Sequence, residues 1–130
     1  ARPLGQDGPF RLVEWLAEEA SIEARLGGAV VLRFDEENVV TGTIVEWTPA
    51  RSFSHEWTIN GETESMVTYL VGPKGTGSTL TLIHAGLPDA MSGGYAPGWH
   101  AYLVRLDAVT QGEVPPEWLE VFESVMELYR

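Results

Sequence analysis

The sequence predicts an α+β fold in which a curved antiparallel sheet wraps around a long carboxy-terminal helix and encloses an apolar cavity. Between residues 29 and 84, apolar and alternating stretches follow one another through short turns, and the simplest arrangement of such strands is an antiparallel meander. After Pro88 the apolar residues recur at the spacing of helices instead. The length of 130 residues suits one domain and no long linker or repeat divides it, so we interpret residues 1–130 as a single domain.

The amino-terminal part of the chain is predicted to hold a tail and a short helix. Residues 1–9 lack the apolar core of a secretory signal and are interpreted as a tail. Residues 10–19 carry apolar side chains at the spacing of an amphipathic helix, at Leu12, Trp15 and Leu16. The sheet is therefore expected to begin after residue 19.

Turn signals divide the next part of the chain into strands. They are Gly27-Gly28, the polar residues 35–38, the break at 49–51, the hairpin signal Asn60-Gly61 and the glycine-rich stretch 72–77. Apolar or alternating stretches typical of strands lie between them, at residues 22–26, 29–34, 41–48, 53–59, 66–71 and 79–84. The glycine-rich stretch leads into a strand and lacks the order of a phosphate-binding loop, so we interpret it as a turn.

Two helices are predicted in the last third of the chain. Residues 92–98 are rich in glycine and are interpreted as a flexible approach to a long helix from Trp99 to Val109, which Gly112 ends. Pro115 and Pro116 are expected to start a second helix, because proline is tolerated in a first helical turn. Residues 114–129 are interpreted as this appended helix, whose apolar face comprises Trp118, Val121, Phe122, Val125, Leu128 and Tyr129.

Composition excludes several classes of function. The formal net charge is −11, and Lys74 is the only lysine, so the chain is expected to bind neither nucleic acid nor an anionic membrane surface. No apolar run approaches the roughly 20 residues that span a bilayer. The absence of cysteine excludes disulfides, thiolate metal sites and a cysteine nucleophile, and it fits a cytoplasmic protein.

The residues that most often carry catalysis or bind metals show no local motif. His55 and His84 lie on predicted strands and His100 on the long helix, without any of the spacings typical of zinc sites. No G-x-S-x-G sequence marks a nucleophilic serine. Glu46 and Glu56 lie on successive strands, but both alternate with apolar residues and are expected to face solvent. We therefore predict no metal, no cofactor and no catalytic residue from motifs.

The aromatic residues are more informative. The sheet and the long helix each contribute aromatic side chains that are expected to face one another, and plain core packing is the alternative interpretation. A bent sheet around one helix tends to leave an apolar pocket with a few polar groups that orient a ligand. We expect the ligand-binding residues to be Phe53, His55, Trp57, Tyr69, His84, Trp99, Tyr102 and Leu106.

Four stretches in this order resemble a known family. They are Glu14-Trp15-Leu16 followed by Gly27-Gly28, residues 42–49 leading to Trp57, residues 65–68 leading to residues 77–87, and Gly98-Trp99. From about Leu12 to Gly112 the chain resembles the SRPBCC superfamily of START-like and birch-pollen-allergen-like domains. Within it, the chain is similar to the bacterial branch related to activators of the heat shock protein 90 ATPase.

The resemblance implies the helix-grip fold and a role as a small-molecule-binding or regulatory module, with stress-related functions in this branch. It fixes no universal catalytic residue. Two alternatives stay open at this point. One is an enzyme of the cyclase or dehydratase type with His84 or His55 as general base, and the other is a protein-interaction domain like the chaperone ATPase activators.

The sequence departs from the family pattern at its beginning. Family members start with a strand and a helix ahead of the Trp15 segment, and here about ten unrelated residues stand in that place. The first family strand is therefore interpreted as absent. A sheet edge left unpaired in this way is a surface for strand exchange, and a homodimer through it is a further hypothesis.

Overall fold

A computed structural model of the protein describes residues 15–49, 51–75, 77–87 and 89–129. These residues form one six-stranded antiparallel sheet, with its strands in sequence order. The strands are β1 (Glu19–Ile22), β2 (Ala29–Arg33), β3 (Val39–Thr48), β4 (Ser52–Ile59), β5 (Glu62–Lys74) and β6 (Gly77–Ala85). They are followed by helix α1 (Asp89–Thr110), helix α2 (Trp118–Val125) and a 3₁₀ turn (Met126–Tyr129). The curved, unclosed sheet and carboxy-terminal helices confirm the predicted helix-grip fold.

The core lies on one face of the sheet because apolar residues alternate along the strands. In β2, Val30 and Leu32 are buried while their neighbours are exposed. The pairing of β3, β4, β5 and β6 then sets Ile44, His55, Val67 and His84 side by side in one row across the sheet. A histidine at each of two strands in this row brings polar ring nitrogens into an otherwise apolar layer.

In the second half of β3, the alternation of inward-facing and outward-facing residues shifts by one residue. A register shift between Ile44 and Glu46 against β4 lets Ile44 pair with His55 and Trp47 pair with Phe53. Without the shift, Ile44 and Trp47 would point to opposite faces, since they are an odd number of residues apart. The bulge therefore adds Trp47 to the edge of the core, where its ring contacts that of Phe53 at 5.9 Å.

The long helix begins ten residues earlier than the sequence predicts. It starts at Asp89 and runs through the glycines at 93 and 94 and through Pro97, so the interpretation of residues 92–98 as a flexible approach was wrong. The weak local helix propensity is overridden by packing of this segment. Tyr95, at the centre of the segment, contacts the rings of His84 at 4.8 Å and Trp57 at 6.2 Å.

Three other predicted boundaries also need correction. Glu19 belongs to β1 and not to the short helix, and the apolar stretch 22–26 turns away from the strand directly after Ile22. The turn begins there because the carboxylate of Glu23 accepts the backbone N–H of Ala29. At the other hairpin, β5 extends to Lys74, which shortens the turn predicted over residues 72–77.

The appended helix α2 begins at Trp118 and not at the two prolines. Pro115 stands before another proline, a position that disfavours helical backbone. Glu117 has extended backbone and occupies the position just before the helix, without a capping hydrogen bond from its side chain. Arg105 of α1 ties this region together, since its guanidinium donates hydrogen bonds to the carbonyl oxygens of Pro116 and Trp15. The helix α2 thus packs on α1 at the end of the described chain.

The predictions for the amino terminus lie largely outside the described residues. The tail at 1–9, the first half of the helix at 10–19 and the absence of the first family strand all concern residues 1–14. The homodimer hypothesis depends on the same segment and stays a prediction.

Candidate functional site

An aromatic pocket of about 560 Å³ opens between the sheet and the two helices. Its walls come from every layer of the fold. Phe34 follows β2, Trp57 and Ile59 end β4, Tyr95 and Tyr102 lie on α1, Trp118 begins α2, and Asp35 and Asn38 lie in the β2–β3 turn. We call these eight side chains the aromatic pocket.

The aromatic rings of the pocket follow one another around it. The ring of Phe34 lies 5.6 Å from that of Trp57 and 5.9 Å from that of Tyr102. The ring of Tyr102 in turn lies 5.4 Å from that of Trp118, and the ring of Tyr95 lies 6.2 Å from that of Trp57. These separations are within the range of favourable aromatic pairs, so the rings support one another as well as the cavity.

Two phenol hydroxyls supply hydrogen-bonding groups to the pocket. The indole N–H of Trp57 donates to the hydroxyl oxygen of Tyr95 at 3.1 Å, which leaves the Tyr95 proton free to donate. Burial raises the pKa of Tyr102 to about 12, and the negative charge of Asp35 adds to this while Arg105 opposes it. Tyr102 therefore stays a neutral phenol, and a hydrogen-bond donor, throughout the physiological pH range.

The rim of the pocket is a turn held by Asp35. One carboxylate oxygen of Asp35 accepts the backbone N–H groups of Glu37 and Asn38, both at 2.8 Å, and the Asn38 side chain also donates to the carboxylate. These hydrogen bonds lower the pKa of Asp35, and the bond from the Asn38 side chain makes the largest contribution. The amide of Asn60 donates to the side-chain oxygen of Asn38 at 3.1 Å. The rim is thus a fixed turn that carries an ionised carboxylate.

A chain of hydrogen bonds lies behind the pocket wall and determines the protonation of His84. The indole N–H of Trp99 donates to His84 Nδ1 at 2.9 Å, so Nδ1 carries no proton. The proton of the neutral ring is then on Nε2, which donates to Ser65 Oγ at 2.7 Å. The Ser65 hydroxyl donates in turn to the carbonyl oxygen of Trp57 at 3.2 Å. Burial first, and the neighbouring His55 second, lower the pKa of His84 to about 4.

His55 is held in a second arrangement deeper in the core. Its Nδ1 lies 2.8 Å from the carbonyl oxygen of Glu56, which can only accept, so Nδ1 carries the proton. Its Nε2 then accepts from the hydroxyl of Tyr69 at 3.1 Å. Burial lowers the pKa of His55 and raises that of Tyr69, so both side chains are neutral. Both His55 and His84 therefore have both ring nitrogens bound by protein groups.

The structure divides the eight residues predicted from the sequence into three groups. Trp57 and Tyr102 line the aromatic pocket. His84 and Trp99 stand directly behind it, each with its ring centre 5.2 Å from that of Trp57. The remaining four do not line this pocket: Phe53, His55 and Tyr69 stack together in the core, and Leu106 lies on a separate groove.

Sequence reasoning missed most of the pocket lining. The sequence predicts a flexible segment at Tyr95, a packing role in the appended helix for Trp118, and the end of a strand at Phe34. The Asn60-Gly61 hairpin signal was recognised, but not its contact with the Asp35 turn at the rim. A helical reading of residues 89–98 would have placed Tyr95 on the same face as Trp99 and Tyr102.

The groove that Leu106 lines has a volume of about 840 Å³. It lies between the β5–β6 hairpin and the second half of α1, and it is bounded by Trp15, Val71, Ser78, Thr79, Leu80, Leu103, Leu106, Asp107, Val109 and Thr110.

Metal binding and membrane insertion find no support in the described part of the chain. Within residues 15–49, 51–75, 77–87 and 89–129, no group of three His, Asp or Glu side chains is placed to hold a metal ion. Neither α1 nor α2 combines the length and the apolar character that crossing a bilayer requires.

Comparison with known proteins agrees with the fold. Residues 8–111 match the family described as Activator of Hsp90 ATPase homolog 1-like protein. The crystal structure of CalU16 from Micromonospora echinospora is similar with a TM-score of 0.74 and 26% identity, covering 93% of this chain and 72% of that one. Protein CV1439 from Chromobacterium violaceum is similar with a TM-score of 0.61 and 25% identity, over 84% and 83% of the two chains.

A larger protein also shares the fold. The crystal structure of DynU16, described as a putative protein in the dynemicin biosynthetic locus, is similar with a TM-score of 0.71 and 19% identity. The similarity covers 82% of this chain but 40% of that one. No curated protein matches the chain.

Proposed function

We propose that this chain, which belongs to the Activator of Hsp90 ATPase homolog 1-like family, binds a small apolar or aromatic molecule in the aromatic pocket. The observation that carries the proposal is the convergence of five aromatic side chains from the sheet, α1 and α2 on one cavity of about 560 Å³. Pockets for small molecules have volumes of roughly 300–1,000 Å³ and combine apolar walls with a few polar groups.

The pocket offers both area and orientation to a ligand. Its rings supply stacking surface, and the hydroxyl protons of Tyr95 and Tyr102 are donors that a carbonyl or ether oxygen of a ligand would accept. Among the described residues, every buried side-chain nitrogen and oxygen atom already has a hydrogen-bond partner in the protein. The polar groups deeper in the core are therefore not available to the ligand. A bound molecule is therefore held by ring contacts and oriented by the two phenols.

The residues predicted from the sequence take different parts in this proposal. Trp57 and Tyr102 contact the ligand directly. His84 and Trp99 position Trp57 from behind, through their ring contacts and the hydrogen-bond chain that ends on the Trp57 carbonyl oxygen. Phe53, His55 and Tyr69 stack together in the core and do not contact the ligand, and Leu106 does not line this pocket.

The geometry does not favour the alternative of an enzyme with a histidine general base. A base must present a free lone pair to its substrate. The lone pair of His84 accepts the Trp99 indole N–H, and the lone pair of His55 accepts the Tyr69 hydroxyl. Either histidine would have to abandon a hydrogen bond in the protein before it took a proton from a substrate.

Titration with the neutral fluorescent probe N-phenyl-1-naphthylamine tests the proposed function. We expect a saturable rise in fluorescence with one site per chain. Replacing Trp118 with alanine removes one aromatic wall and is expected to weaken the affinity about tenfold. Circular dichroism of the variant checks that the fold is retained.

The matched control is Leu119→Ala in the same helix. Leu119 is 58% exposed and does not line the pocket, so its removal is expected to leave the affinity unchanged. A probe that fails to saturate, or that binds both variants equally well, would contradict a ligand site in the aromatic pocket.

A further inference from the structure

The lining of the aromatic pocket carries a negative charge and no positive charge. Of its eight lining residues, Asp35 is the one that carries a charge, and lysine, arginine and histidine do not occur among them. The nearest guanidinium on α1, that of Arg105, is bound to the carbonyl oxygens of Trp15 and Pro116. An anionic guest would therefore meet a carboxylate in the lining, and Arg105, the cation whose charge reaches Tyr102, lies outside the lining.

The walls of the pocket suit a cation. A cation is attracted to the face of an aromatic ring when it lies within about 6 Å of the ring centre. Phe34, Tyr102 and Trp118 follow one another with ring centres 5.9 and 5.4 Å apart. A positive group among them is thus within reach of several rings at once, while its apolar parts still find hydrophobic contact.

The carboxylate of Asp35 is already oriented at the mouth of this ring cluster. Its turn fixes it through the backbone N–H groups of Glu37 and Asn38 and the Asn38 side chain. Its charge reaches the half-buried hydroxyl of Tyr102, where the opposing charge of Arg105 also acts and has the larger effect. The net charge of −11 surrounds the pocket with a negative potential, which raises the local concentration of cations.

We infer that the ligand of the aromatic pocket is a small organic ammonium ion on an aromatic or apolar body, with Asp35 as its counter-ion. The inference rests on the proposed function and names the chemical class of its ligand. The ammonium group lies against the rings nearest Asp35, and the apolar body fills the remainder of the pocket beside Trp57.

Three probes with the same naphthalene body test the charge preference. They are the cation trimethyl(1-naphthylmethyl)ammonium, the neutral 1-naphthalenemethanol and the anion 1-naphthaleneacetate, each measured by isothermal titration and by displacement of N-phenyl-1-naphthylamine. We expect the cation to bind about tenfold more tightly than the neutral probe, and the anion to bind most weakly.

A pair of variants tests the counter-ion. Asp35→Asn keeps a side-chain oxygen for the two backbone N–H groups and removes the charge, and it is expected to weaken binding of the cation about threefold more than binding of the neutral probe. Glu37→Gln makes the same change in net charge in the same turn but outside the pocket lining, and it is expected to leave both affinities unchanged.

The failures are distinguishable. Equal binding of the cation and the neutral probe would overturn the inference and leave the proposed function standing. Equal weakening of the cation by both variants would overturn the role of Asp35 as counter-ion. If none of the three probes binds and N-phenyl-1-naphthylamine does not bind either, the proposed function itself fails.

Discussion

Replacing Gly42 with alanine is expected to lower the free energy of unfolding by about 3 kcal/mol. A Cβ atom at Gly42 would lie 2.1 Å from the carbonyl oxygen of Glu56 and 2.7 Å from its carbonyl carbon. Both atoms belong to the backbone of β4, so no flexible side chain can move aside. The chain has to separate β3 from β4 at this point, and that breaks the pairing in the middle of the sheet.

The clash with Glu56 also affects the aromatic pocket, because Glu56 lies between a core residue and a pocket residue along β4. Glu56 stands between His55 and Trp57, and its carboxylate also accepts the backbone N–H and the hydroxyl of Thr43 on the neighbouring strand. Separation of the strands here displaces Trp57, so the variant is expected to lose probe binding along with stability.

Urea unfolding followed by tryptophan fluorescence measures this effect, with Gly72→Ala as the control. Gly72 is also in a strand, but a Cβ atom there would meet nothing nearer than the hydroxyl oxygen of Thr79 at 3.9 Å. The control is expected to unfold within about 1 kcal/mol of the original protein. Similar losses in the two variants would show that close approach of β4 is not what requires glycine at position 42.

Local sequence patterns were sufficient to predict five of the six strands, from β2 to β6. In β4 the bulky residues Phe53, His55 and Trp57 alternate with smaller or polar ones, and all three are buried on one face as predicted. A period of two residues is a property of one strand and needs no knowledge of its neighbours. The hairpin at Asn60 and Gly61 is equally local, since both residues adopt the positive φ angles that such a turn requires.

Features that depend on distant contacts were not predictable in this way. The need for glycine at position 42 arises from the backbone of β4, and the bulge in β3 appears only when two strands are paired. The early start of α1 depends on Tyr95, whose ring packs against His84 and Trp57 from other elements. Glycine and proline in the same segment signal a loop, and tertiary packing overrides that signal.

The same distinction explains why the site was predicted only in part. Inward-facing residues in the middle of the strands, such as His55 and Tyr69, are covered by their neighbours and become core. The pocket is lined instead by residues where elements end or begin, among them Phe34 after β2 and Trp118 at the start of α2. Which ends meet in space is decided by the topology and not by any periodicity along the chain.

The protein is expected to lose stability as the pH falls from 6.5 to 4, and the part of this loss above pH 5 comes before its carboxylates are protonated. In the folded state the pKa of His84 is lowered from 6.5 to about 4, so between these values the unfolded chain binds the proton more strongly. The full shift corresponds to roughly 3 kcal/mol, and screening by water at this half-buried ring reduces the expected loss to about 2 kcal/mol. His55, whose pKa is also lowered by burial, contributes in the same direction.

The other shifted groups act at and below pH 4.5, and the change in net charge acts with the opposite sign. The pKa values of Glu23, Asp35 and Glu56 are lowered in the folded state, and the stability that they add is lost only below their ordinary values of 4.5, 3.8 and 4.5. The net charge of −11 at pH 7 shrinks as the pH approaches 4.5, which relieves repulsion and stabilises the fold. A net loss of stability as the pH falls from 6.5 to 5 would therefore be due to protonation of the histidines.

Urea unfolding at pH 7.5 and pH 5, in the original protein and in His84→Gln, isolates the part that His84 plays. The amide oxygen of glutamine can accept the Trp99 indole N–H and its NH₂ group can donate to Ser65, but glutamine does not titrate. The variant is expected to lose about 1 to 2 kcal/mol less than the original protein between the two pH values. An equal loss in both proteins would mean that protonation of His84 does not oppose folding. Observation of the His84 ring by NMR at pH 7.5, with the proton on Nε2, is the independent check, because this tautomer is the one that the Trp99 and Ser65 hydrogen bonds require.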